Sequence, residues 1–120
     1  SAAQSIDRIV DVFPENQQPQ VRMKLSSVLE GILAQRLIPA MAGGRVAVAE
    51  VLTASPAVRT TIREGKSHLV DNIIQTSGEL GMMLLETALA KAVKEGKISA
   101  ETAISYALRV EDMNRLLKGA

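Results

Sequence analysis

The residues best placed to do chemistry in this chain are cations. Arg59 and Arg63 stand in the run Ala57-Val58-Arg59-Thr60-Thr61-Ile62-Arg63-Glu64-Gly65-Lys66, with Lys66 just past the Gly65 stop. Ser55-Pro56 ahead of the run is a helix start, a hydroxyl cap followed by proline at the first helical position. Helical spacing then places Val58 and Ile62 on one buried edge and the two arginines on another. Like charges one turn apart cost an isolated helix roughly a few tenths of a kcal/mol, so a basic ridge here points to an acidic partner surface. Read from the residues alone, the plainer alternative is a surface helix whose arginines pair locally, with Glu64 or Asp71.

Other chemistry-bearing residues are less promising. His68 is the single histidine, and no cysteine is present to complete a site with it, so a solvated surface residue is expected. Asp7 and Asp11 share a helix face with Arg8 between them, the pattern of a solvated face rather than a metal site. Glu50 interrupts an apolar strand, so it is either exposed on an edge or, the favoured reading, paired with an arginine such as Arg36 or Arg45. Gly65-Lys66-Ser67 has the last letters of a phosphate loop, but Thr60 stands where that loop needs glycine and no strand precedes it. Met82-Met83 read as pliable core or interface filler, and Lys91, Lys94 and Lys97 as a solvated helix face.

The elements that must position these groups can be read from periodicity. Apolar residues make up 47% of 120 residues, but Phe13 and Tyr106 are the only aromatics, so the core is aliphatic. Net charge is +1, which supplies no field for nucleic acid or an anionic membrane. No apolar run approaches the roughly 20 residues of a membrane span, so direct membrane insertion is not expected. Ile6, Ile9, Val10 and Phe13 predict a helix over about 2–13, ended by Pro14, and Val21, Leu25, Val28 and Leu29 a second from about Pro19 to Glu30. The first opens at Ser1 with no capping lead-in, as in a segment of a larger domain. Gly43-Gly44 between two β-prone runs predicts a hairpin, its second strand running from Arg45 to Leu52. Ser67 can cap a helix carrying Leu69, Val70, Ile73 and Ile74. Leu84, Leu85, Ala88, Leu89, Ala92 and Val93 form the face of the next, closed by Gly96. Ser99 caps another with Ala103, Ile104, Ala107 and Leu108, and Met113, Leu116 and Leu117 define a last one over about 111–118.

The basic run resembles Ala-Ile-Arg-Asn-Leu-Ile-Arg-Glu-Gly-Lys, a signature of the retraction motor ATPases of type IV pili. It matches at Ala57, Arg59, Ile62, Arg63, Glu64, Gly65 and Lys66 and departs at Val58, Thr60 and Thr61. Ser1 to Pro14 resembles the stretch that follows the family's histidine box. Gln35-Arg36-Leu37, Gly44-Arg45-Val46, Glu50, Gly81-Met82 and Gly96-Lys97-Ile98-Ser99 resemble its later blocks. Thr61 in place of leucine removes one apolar side chain from the signature helix. Assembly and type II secretion relatives commonly carry Cys-x-x-Cys pairs after the Gln-Arg-Leu block; the short cysteine-free turn here favours retraction over that alternative. A free-standing helical interaction module remains the reading of a different class.

The resemblance implies a mainly α fold with a small β-hairpin, a C-terminal fragment of a RecA-like α/β ATPase with its helical subdomain. Residues 1–54 would be the back end of the core, deprived of its central strands and exposing apolar surface, and 55–120 the helical subdomain. It implies a homo-hexameric parent that uses ATP and Mg, is cytoplasmic and peripheral to the inner membrane, and works with the machinery at the pilus base. Ala57, Val58, Arg59, Ile62, Arg63, Glu64, Gly65 and Lys66 would form the surface that couples hydrolysis to pilin extraction. Arg8 and Arg36 would lie near the nucleotide or a neighbouring subunit; for Arg8 a surface ion pair with Asp11 is an equal alternative. The phosphate loop and the acidic boxes of the family lie upstream of Ser1, so the chain alone is expected to bind no cofactor and hydrolyse no ATP.

Overall fold

A computed structural model describes residues 1–119. Helix α1 spans Ala2–Asp11, and Ser1 caps it: its Oγ accepts from the Gln4 N–H at 3.1 Å while Gln4 Oε1 accepts from the Ser1 amine at 3.4 Å. The expectation of an uncapped start is therefore corrected. The helix stops before Phe13, because Pro14 disfavours helical backbone in the residue ahead of it. After a single 3₁₀ turn, α2 covers Gln18–Val28. It ends short of Glu30 because Leu29 is already extended, and Gly31 opens the hairpin. A side chain at Gly31 would meet the Leu52 carbonyl at 3.0 Å, a tighter approach than a Cβ ordinarily makes, so glycine suits this crossing of strand and helix exit.

Strands β1 (Gly31–Pro39) and β2 (Arg45–Thr53) pair antiparallel, from Gly31 opposite Thr53 to Pro39 opposite Arg45. Gly43 and Gly44 carry the turn at φ +92° and +72°, conformations that side chains resist. The expected hairpin is present. Partners across a ladder share a face, so Ile32, Ala34, Arg36 and Ile38 lie with Leu52, Glu50, Val48 and Val46 on the side toward the helices.

Helix α3 (Pro56–Arg63) starts on Ser55, whose Oγ accepts from the Val58 N–H at 3.3 Å. Ser67 does not cap the next helix. It opens a 3₁₀ turn and its hydroxyl donates to Asp7 Oδ1 at 2.6 Å, so the side chain ties the chain to α1 instead, and α4 runs Val70–Thr76. Helices α5 (Leu85–Lys94), α6 (Ala100–Tyr106) and α7 (Val110–Lys118) follow. Ser99 caps α6 through the Thr102 N–H at 3.0 Å. On α6 the buried position is Ala103, in one cluster with Ile98 and Met113; Ile104, and Leu108 beyond the helix, are exposed.

The interior is divided in two. One cluster gathers Ala2, Ile6, Leu52, Val58, Ile62, Val70, Ile74, Met82 and Leu84. The other gathers Ile38, Val48, Leu85, Leu89, Ala92, Ile98, Ala103 and Met113. Each mixes residues from before and after position 54, because β2 passes through both.

Candidate functional site

Helix α3 is anchored by its apolar edge, with Val58 and Ile62 at 0% and 2% exposure. Thr61 is buried as well, and its hydroxyl donates to the Ala57 carbonyl one turn back at 2.8 Å. A threonine is thus accommodated at the family's leucine position by satisfying its own hydroxyl within the helix. The arginines of the signature differ in what they do. Arg59 is half-buried and its Nη1 donates to the Ser26 carbonyl at 2.6 Å, pinning α3 to the end of α2. Arg63 is exposed, and its one hydrogen bond among the described residues is to Thr60 Oγ1 at 3.4 Å. Lys66 is exposed and lies 3.4 Å from Glu64, a pair open to water that contributes little. Gly65 sits at φ +71° beneath the Arg22 guanidinium, whose Nε would stand 3.2 Å from any Cβ placed there. The ridge available to a partner is therefore Ala57, Arg63, Glu64 and Lys66, while Val58, Ile62 and Arg59 hold the helix in place.

Arg8 and Arg36 come together. Both line one groove of about 220 Å³ with Gln4, Ser5, Gln35 and Glu50. Arg8 comes from α1 and Arg36 from the helix-facing side of β1, opposite Val48. Neither guanidinium has an ion-pair or hydrogen-bond partner among the described residues, so the Arg8–Asp11 pair is not formed. The groove's carboxylate, Glu50, is 1% exposed and already engaged, which leaves the rim positive.

Glu50 leads to a residue that sequence reasoning missed. It pairs with neither Arg36 nor Arg45. Its Oε2 accepts from the Ala2 N–H at 2.7 Å, and its Oε1 accepts from the Leu85 N–H at 3.1 Å and from Arg109 Nη1 at 3.2 Å. Arg109 Nη1 also donates to Glu86 Oε1, and its Nε to Asp71 Oδ2 at 3.0 Å. Nη2 lies 2.8 Å from Asp71 Oδ1 without the angle of a hydrogen bond. Glu86 Oε2 accepts the backbone N–H groups of Leu108 and Arg109 at 2.9 and 3.0 Å. Burial pushes the Glu86 carboxyl upward, but the Arg109 backbone N–H, the Glu86 backbone N–H and the Arg109 guanidinium outweigh it and hold it below its ordinary range. Burial likewise works against the Arg109 charge, and the hydrogen bonds to Asp71 and Glu86 with the Glu50 charge override it, raising its pKa. Nothing in the spacing of Glu50, Asp71, Glu86 and Arg109 announced this; each comes from a different element.

The remaining candidates stay apart. His68, Asp11 and Lys91, Lys94 and Lys97 are exposed, and no cluster of metal-ligating side chains occurs among the described residues. Met82 is core at 3% exposure, whereas Met83 joins β2 by backbone hydrogen bonds with Val51 at 2.8 and 2.9 Å. Gly65-Lys66-Ser67 runs from the end of α3 into a 3₁₀ turn.

The chain is 46% identical over 103 residues to the type IV pilus retractation ATPase PilT of Pseudomonas aeruginosa, covering 86% of this chain and 30% of that protein. It is homologous to a segment of the pilus retraction ATPases. The twitching motility protein of Neisseria gonorrhoeae is 40% identical over 114 residues, 94% of this chain and 30% of its own. The crystal structure of the pilus retraction motor PilT with bound ADP superposes with a TM-score of 0.84 at 39% identity, over 95% of this chain and 32% of that one. No protein-family model matches. The chain thus spans under a third of the length of these retraction ATPases, and its mainly helical fold with one hairpin is a fragment of theirs. No helix among the described residues is long and apolar enough to cross a membrane.

Proposed function

We propose that this chain is the C-terminal portion of a hexameric ATPase that powers type IV pilus retraction, and that it transmits hydrolysis to pilin removal rather than performing it. The observation that carries this reading is the signature helix itself. Its apolar edge and Arg59 are fixed by packing, while Arg63 and Lys66 project from that rigid base. A ridge of cations on a pre-positioned helix suits an acidic surface that it pushes or pulls. Residues 1–54 belong, on this reading, to the back of the RecA-like core and 55–120 to the helical subdomain, the two sharing apolar packing through β2. The groove of Arg8 and Arg36 faces the nucleotide or the neighbouring subunit of the parent, where Mg-ATP is held by upstream residues. The parent works in the cytoplasm against the inner membrane, at the pilus base.

Two measurements test it. The chain alone should show no magnesium-dependent ATP turnover above a heat-killed control; clear turnover would overturn the division of labour. In the longer protein carrying this segment, Arg63→Glu should leave ATP turnover within about twofold and abolish retraction, because an exposed charge reversal changes stability by only about 0.5 kcal/mol or less. Arg59→Glu is the weaker probe, since it also removes the bond to the Ser26 carbonyl. Retraction unaffected by Arg63→Glu would remove α3 from the coupling surface.

A further inference from the structure

The side of β2 that faces the helices reads Val48, Glu50, Leu52, all nearly inaccessible at 6%, 1% and 1%. Val48 belongs to the cluster around α5, α6 and α7, and Leu52 to the cluster around α1, α3 and α4. Glu50 falls between them. The same division recurs at the start of α5, where Leu84 joins the first cluster, Leu85 the second, and Glu86 comes next at 0% exposure. Apolar residues at these two positions would let the clusters run together into one core. Two carboxylates stand on the seam instead, and Arg109 joins them.

Desolvating such a group is costly, and buried ion pairs replaced by apolar side chains of similar volume are often as stable or more so. Added stability therefore does not account for the arrangement. Orientation does, because a planar guanidinium with a fixed set of donors restricts the directions from which carboxylates can bond it. Arg109 reaches Glu50 on β2, Asp71 on α4 and Glu86 on α5, and through Glu50 the start of α1. Its side chain retains 18% exposure and Asp71 39%, so water reaches the network from the α4 side.

We propose that Arg109 is a latch: it fixes the relative placement of two apolar clusters across a charged seam, and the seam can open while each cluster stays packed. The helix α3 side and the α5–α7 side are then two bodies with a defined joint. This goes beyond the pilus reading and stands or falls without it.

The test is amide hydrogen exchange by NMR on the 120-residue chain, comparing wild type with Arg109→Met and Asp71→Ala. The seam amides are those of Leu85, Leu108 and Arg109, held by Glu50 and Glu86. The cluster amides are Ile62 in α3 and Leu89 in α5. A latch predicts that both variants speed seam exchange by tenfold or more while Ile62 and Leu89 change by less than threefold, and that thermal unfolding of Arg109→Met splits into two transitions. Should Arg109→Met fail to fold, Asp71→Ala carries the comparison, since it leaves Arg109, Glu50 and Glu86 in place. Equal acceleration at all five amides, or no change at the seam, would overturn the proposal.

Discussion

The two strands of the hairpin have equal length and similar composition, yet one is enclosed and the other is bare. On β2, Val48, Glu50 and Leu52 are buried, and Val51 is gripped by Met83 from beyond the sheet. On β1 only Ile38 is buried, while Leu33 and Leu37 stand 66% and 55% exposed and no strand pairs with the outer edge among the described residues. Leu33 and Leu37 lie on the face turned away from the helices, in register with Val51 and Ala47. Ile9 on α1, Val12 and Phe13 just after it, and Val28 at the end of α2 are also exposed apolar residues. Enclosure in this molecule comes from α1 together with the elements after the hairpin, which cover β2 and leave the outer edge and outward face of β1 bare. An open edge and an apolar face of this kind favour association with another surface.

Breaking the enclosure of β2 should have the largest effect. Arg109→Met leaves Glu50 and Glu86 buried without their counter-charge, which typically costs about 3–5 kcal/mol; the latch assigns that loss to the joint between the clusters, so urea unfolding should split into two transitions rather than shift as one. Leu52→Ala and Leu33→Ala set the two strands against each other directly. The first should lose about 2–5 kcal/mol as a core truncation, the second under about 0.5 kcal/mol as an exposed position; comparable losses would show that β1 is covered in solution. Acid should weaken the enclosed side selectively. The folded-state carboxyl of Glu86 is depressed below its ordinary 4.5, so its contribution is present above that pH and is lost as the pH falls through the folded value. Urea midpoints between pH 7 and 3 should drop below the ordinary carboxylate range, and Glu86→Gln should flatten the drop. The smallest effect on stability is expected at the bare strand: Leu33→Lys with Leu37→Lys should hardly move the midpoint but reduce self-association by analytical ultracentrifugation.

How much was legible tracks the same division. Local rules located the Ser55-Pro56 helix start, the Gly43-Gly44 turn and the Ser99 cap, because each acts within a few residues. They failed at Ser67, whose hydroxyl had a competing partner in Asp7, distant in sequence and adjacent in space. They also failed at Glu50. A partner for it was foreseeable from its place in an apolar strand, but that partner is Arg109 rather than its neighbours on the hairpin. The signature helix was visible as a basic ridge, though spacing alone could not tell that Arg59 is spent on the Ser26 carbonyl and Arg63 is free to meet a partner. Arg8 and Arg36 shared a groove that no sequence pattern could have assembled, since one comes from a helix and the other from a strand.

As the coupling part of a longer motor, this chain should occur in the cell only within a larger protein, which the mass of the endogenous protein reveals. An antibody against the chain, applied to whole-cell extract, should reveal a band roughly three times heavier, since the chain covers 30% of its relatives. A band at 12.8 kDa would contradict the account and leave a free-standing helical module.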